Sequence, residues 1–155
     1  MDKATFLATL RAKRAEWEAL MAEVGEARTT QPGAAGEWSV KDIIAHVAWG
    51  EHEMVGVLQA RALVGSDLWN VSTDERNAAV FEQNRHRPLQ DVLNEEREVY
   101  TQLLEALQAV SDKDFTDPQQ FKDMPADWVP WQILSGNSFG HYDEHIPSIR
   151  AWLAK

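Results

Sequence analysis

Residues 39–64 read SVKDIIAHVAWGEHEMVGVLQARALV. Val40, Ile43, Ile44, Val47, Met54, Val55 and Leu58 share one face of a helical wheel, the pattern of an amphipathic helix with its apolar stripe against a core. Ser39 with Asp42 three residues on resembles a capping box, although Asp reaches back less well than Glu. Gly65 is the expected stop. A helix of this length needs partners of similar length, and the flanking sequence supplies them.

Upstream, Leu7, Leu10, Trp17, Met21 and Val24 follow a 3-4 spacing that Arg14 interrupts. Asp2 is the expected N-cap and Gly25 the stop. Residues 26–38, with Pro32, Gly33 and Gly36, have no periodicity and form a long loop. Downstream, a turn over 66–72 holds Trp69 and Asn70, and 73–85 carries a short helical pattern. Pro88 suits a first helical position. From there Leu89, Val92, Leu93, Val99, Tyr100, Leu103, Leu104, Leu107 and Val110 mark another long amphipathic helix. Residues 111–129 are irregular, with Pro118 and Pro125. Pro130 opens the last helix, which runs to about Leu153 and should kink at the internal Pro147. No segment alternates as a strand would. The reading is all-α: a single domain over 1–155, a four-helix bundle with one additional short helix. The long helices span about 2–24, 39–64, 88–110 and 130–153.

Composition narrows the function. The chain has 155 residues, no cysteine and a formal net charge of −10. The missing thiols exclude disulfides, thiolate metal sites and a cysteine nucleophile, and suit a cytoplasmic protein. The acidic balance repels phosphates, which argues against nucleic acid and anionic membranes. The first residues are charged throughout, unlike a signal peptide, and no apolar run approaches the roughly 20 residues of a membrane span.

Five histidines carry the chemistry. His141 and His145 lie about 40° apart on the wheel, with Leu134, Asn137, Ser138, Ser148 and Trp152 on the same stripe. The stripe is apolar at its ends and polar in the middle, and polar groups on a buried face need partners. Two imidazoles at i and i+4 can hold one metal ion. Two satisfied core histidines give the same spacing. His46 flanks the apolar face of the second long helix. His52 lies opposite that face and His86 sits between two arginines, so both should be exposed and away from any site. Glu51 falls inside the apolar arc and Glu53 lies next to His46 in phase. Either is a candidate general base or a carboxylate partner for an imidazole. Nitrogen ligands suit Zn, Ni, Fe or Cu rather than Mg or Ca. An occupied site should bring three nitrogens within about 3–3.5 Å of one another. Seven tryptophans are many for this length. Trp49, Trp69, Trp128 and Trp131, with Asn137, are candidate walls of a pocket for an apolar or electrophilic small molecule. A Trp-rich core is the plainer explanation.

Trp38-Ser39-Val40-Lys41-Asp42-Ile43-Ile44-Ala45-His46-Val47-Ala48-Trp49 resembles the WSxxDxxxHxxxW segment of the DinB-like superfamily. Residues 140–153, GHYDEHIPSIRAWL, resemble its C-terminal helix, and the HYxEH core with a terminal RxWL is most similar to the ClbS/DfsB branch. The resemblance implies an up-down-down-up bundle, often a homodimer. It also implies a three-His site for a divalent metal, usually Zn or Ni, held by His46, His141 and His145. Members include metal-dependent thiol transferases, a mycothiol-dependent isomerase and proteins that protect against reactive genotoxins; the ClbS-like branch need not use metal. Two kinds of function follow. One is a metal-dependent hydrolase or thiol transferase acting on a small electrophile. The other is a non-catalytic module that binds a small molecule for self-protection, or a metal-free hydrolase.

Overall fold

The computed structural model describes all of Met1–Lys155. Its α-helices are α1 (Lys3–Val24), α2 (Glu26–Thr29), α3 (Val40–Ala60), α4 (Thr73–Asn84), α5 (Leu89–Ala109), α6 (Asp112–Thr116), α7 (Pro130–Gly136) and α8 (Phe139–Leu153). There is no sheet, only two isolated bridges, Ala35 with Trp38 and Ala62 with Lys122. Of the helices, none is long and apolar enough to cross a membrane.

The N-terminal caps follow the sequence. The Asp2 side chain accepts from Thr5 N at 2.8 Å. Ser39 and Asp42 complete the capping box that starts α3. The apolar stripes meet in one core: Phe6, Leu10 and Trp17 of α1, Ile43, Ile44 and Val47 of α3, Leu103 and Leu107 of α5, and Tyr142 and Ile149 of α8 are all buried. Burying one such side chain contributes about 1.5–3 kcal/mol. In this core α1 packs mainly on α8 and α3 mainly on α5, while α4 leans on α3.

Two boundaries differ from expectation. Helix α3 ends at Ala60, and Arg61, not Gly65, takes the left-handed capping conformation with φ 50°. The chain is drawn off the helix axis by the 111–124 segment. Lys122 N donates to Arg61 O at 2.9 Å and Leu63 N to Lys122 O at 2.8 Å, and the Arg61 guanidinium pairs with Asp114.

The last helix is broken at Asn137–Ser138, and α8 runs through Pro147 to Leu153. Side chains replace the helical bonds at the break. Asn137 Nδ2 donates to Ile133 O at 3.0 Å and Ser138 Oγ to Leu134 O at 2.6 Å. The two segments approach so closely that a Cβ on Gly140 would lie 2.8 Å from Ser135 O, a backbone atom. Gly140→Ala should therefore destabilise the protein by about 1–3 kcal/mol, the usual cost of overpacking. Chemical denaturation checks this, and an unchanged midpoint would show that the break relaxes freely.

Candidate metal centre

Helices α3 and α8 bring three histidines together. His46 is on α3; His141 and His145 are one turn apart on α8. His46 Nε2 and His141 Nε2 lie 2.9 Å apart. One ligand atom from each of the three falls within 4.8 Å of the others, and no carboxylate belongs to the cluster. The ring centroids are 4.6 Å (His46–His141), 5.3 Å (His46–His145) and 4.8 Å (His141–His145) apart. One pair thus stands at hydrogen-bond distance, just inside the spacing that a shared ion needs, while the third ring stands further off.

Burial sets the protonation. It pushes His46 down to about 4, helped by the charges of His145 and Arg76. It pushes His141 down to about 3, helped by His46 and His145. His145 is lowered by burial, with Glu144 acting the other way. All three rings are neutral at pH 7 and keep a lone pair. His46 Nδ1, His141 Nδ1 and His145 Nε2 are buried with no hydrogen-bond partner. Buried polar atoms of this kind are rare without a reason. Three neutral imidazoles whose nitrogens converge, with no competing cation in the cluster, are a donor set that could hold a divalent metal ion.

The same shifts give a pH dependence. The folded pKa values lie below the ordinary 6.5, so the unfolded chain binds more protons in acid. The metal-free protein should be fully stable, as far as these groups go, above about pH 6.5 and lose stability as pH falls through about 4. Urea denaturation in the presence of a chelator measures this, and His46→Gln should flatten the slope. Equal midpoints at pH 7 and pH 5 would contradict it.

Gly50, one turn after His46 on α3, makes room for α8. A Cβ there would lie 3.4 Å from both His141 Nδ1 and Asn137 Oδ1. Trp38 meets the His46 ring edge-on at 5.3 Å and stacks on Phe81 of α4 at 5.6 Å. His52 and His86 are exposed.

The two carboxylates expected beside the histidines are engaged elsewhere. Glu51 is fully buried and accepts from the Tyr142 hydroxyl, which also lies 3.5 Å from Arg14 Nη1. Burial pushes its pKa up to about 8 against the Tyr142 hydrogen bond and the Arg14 charge. Glu53 Oε2 accepts from Ser66 N at 2.8 Å and Trp69 Nε1 at 2.7 Å. Phase placed Glu53 next to His46 and Glu51 inside the apolar arc, and on the helix they diverge, Glu51 towards Tyr142 of α8 and Glu53 towards the loop after α3.

A cavity of about 690 Å³ lies beside the centre, and Trp69, Trp128 and Asn137 line it. Trp49 and Trp131 do not. Trp49 packs against Trp69, with ring centroids 5.0 Å apart, and Trp131 packs against the core. Sequence reading missed Arg76, the cation that acts on His46. It lies in a polar helix whose stripe carried no signal of a site.

The sequence pattern of the mycothiol maleylpyruvate isomerase N-terminal domain matches residues 10–134. The chain belongs to this family. It is a DinB-like helical domain, as the tryptophan and histidine motifs suggested. The matched stretch includes His46 and ends before α8, which supplies the other two histidines. No curated protein matches the chain in sequence. A crystal structure of a protein from Streptococcus pneumoniae is similar in fold, with a TM-score of 0.80 at 14% identity, covering 98% of this chain and 90% of that one.

Proposed function

We propose that this DinB-like protein is a divalent-metal-dependent enzyme, with Zn or Ni held by His46, His141 and His145. It acts on a small electrophilic molecule by thiol transfer or hydrolysis. The observation that carries this reading is the convergence of three neutral, buried imidazoles, two of them with Nε2 atoms 2.9 Å apart. When bound, a Zn or Ni ion supplies a Lewis acid that lowers the pKa of a water or thiol at neutral pH. The chain's part is to hold the ligands neutral, exclude bulk water around them and set a positive charge, Arg76, nearby. That charge, and the mycothiol in the family's name, favour an anionic thiol as one reactant. The protein is taken to be a cytoplasmic homodimer.

The second reading is a non-catalytic binding or self-protection module, or a metal-free hydrolase of the ClbS/DfsB-like branch. It is supported by the 690 Å³ cavity having none of the three histidines in its lining. Metal analysis of untagged protein separates the two. About one Zn or Ni per chain is expected, and a chain that neither carries nor takes up metal on titration would leave the second reading.

A further inference from the structure

The 690 Å³ cavity is lined by Met54, Val57, the loop 63–66, Trp69 and Asn70 on one side, and by 127–129, Gln132, Ile133 and Asn137 on the other. Its size suits a drug-sized molecule. Its charge is informative: Asp127 is acidic, and no lysine, arginine or histidine lines it. An anion entering it would lose hydration with no cation in the lining to meet it, the Arg76 guanidinium being held against the Trp69 ring. A neutral apolar body would not.

One wall is built with unusual care for an exposed side chain. Trp69 is 37% exposed, as is Trp128 at 41%, yet Trp69 is fixed on several sides. Its indole N–H donates to Glu53 Oε2 at 2.7 Å, and the same oxygen accepts from Ser66 N at 2.8 Å. Trp49 packs on it, and the Arg76 guanidinium lies 4.7 Å from its ring centroid. Gly65 allows the approach, because a Cβ there would lie 2.3 Å from Glu53 Oε2 and 2.9 Å from Trp69 Nε1. A half-exposed indole has no need of so many restraints for folding. Rigid walls raise affinity by lowering the ordering cost of binding.

We infer that this cavity binds the uncharged, apolar body of the substrate, and that Glu53 is a positioning residue that fixes Trp69 as its wall. The inference rests on the small-molecule reading above. It assigns the electrophile, not an anionic thiol, to this cavity. Asn137 joins the two regions, since it lines the cavity and its Oδ1 lies against Gly50 together with His141 Nδ1. The apolar body would thus be held with its reactive end towards α8.

The test uses full-length protein with a chelator present, so that failure of the metal reading leaves it untouched. Two fluorescent probes are compared: neutral N-phenyl-1-naphthylamine and its sulfonated relative 8-anilino-1-naphthalenesulfonate. The neutral probe should bind saturably, one per chain, and about tenfold more tightly than the sulfonate, a difference of about 1.4 kcal/mol. Trp69→Ala should weaken it about tenfold, within the range that one aromatic contact supplies. Glu53→Ala should weaken it several-fold and change the tryptophan emission, while Glu53→Gln, which keeps an acceptor oxygen, restores both. His52→Ala, on an exposed surface, should change neither. Circular dichroism verifies that each variant is folded. Equal affinity for the two probes, or a Trp69→Ala variant that binds like the parent, would overturn the inference. A Glu53→Gln variant as weak as Glu53→Ala would overturn the positioning role.

Discussion

His141→Ala protein, purified without a tag, should carry less than about a tenth of the Zn or Ni that the parent carries, because a three-ligand site reduced to two loses its hold on the ion. His141 is the ligand to choose. It is the partner of the 2.9 Å contact with His46, and it is buried with Nδ1 unpartnered. The stability readout should follow the metal. A ligand that binds only the folded state adds about 2.7 kcal/mol at a hundredfold excess over its Kd. The parent should therefore melt higher with Zn or Ni than with a chelator, and the variant should not. His52→Ala and His86→Ala should leave metal content unchanged and shift stability by no more than about 0.5 kcal/mol, as expected of exposed side chains away from the site. A variant lacking His141 that still binds one metal per chain would mean that the ligand set is wrong. A loss of metal in either control would point to a different triad.

Glu96→Ala should destabilise the protein by about 3–5 kcal/mol, the cost of leaving a buried charge without its partner. Arg14 interrupts the apolar stripe of α1 and is buried in the structure, where its Nη1 donates to Glu96 of α5. Its Nε donates to Glu18 at 2.7 Å, and Tyr142 OH lies 3.5 Å from Nη1. Burial works against the Arg14 charge, but Glu96 and Tyr142 more than offset it and hold its pKa above the ordinary value. The opposite carboxylate, Glu51, is held largely neutral by burial at pH 7, so it does not replace Glu96. For a domain of this size the loss corresponds to a fall in Tm of about 6–20 °C. The double variant Arg14→Met with Glu96→Leu should recover most of the loss, because a well-packed apolar pair of similar volume is close to neutral. If Glu96→Ala costs less than about 1 kcal/mol, solvent or Glu18 is carrying the guanidinium and the pair is not a structural tie.

The helices were legible in the sequence because what makes them is local. Ser39 with Asp42, the spacing of Ile43, Ile44 and Val47, and Pro130 at a first turn are all read within a few residues of one another, and the chain folds them as expected. The phase of His141 and His145 was legible for the same reason, since one helix fixes both. Their meeting with His46 was not. That contact joins residues 95 positions apart, and helical phase says which face a side chain is on without saying which helix faces it. Family resemblance supplied the pairing in its place.

Only the tertiary structure decided the rest, and each case has the same physical cause. Arg14 and Glu96 are 82 positions apart, so the sequence showed a charge spoiling a stripe and not its partner. Glu51, inside the apolar arc, and Glu53, in phase with His46, were both candidate partners for an imidazole, but packing turned one to Tyr142 and the other to Trp69. The last helix read as continuous because Asn137 and Ser138 are tolerated in helices. The close approach of Gly140 to Ser135 O, a matter of how α7 and α8 dock, is what accompanies the break. Local periodicity determines which segments become helices and which faces are apolar. The juxtaposition of polar groups from distant segments, and the cavities left between them, depends on how those helices settle against one another, which no single stretch of the sequence encodes.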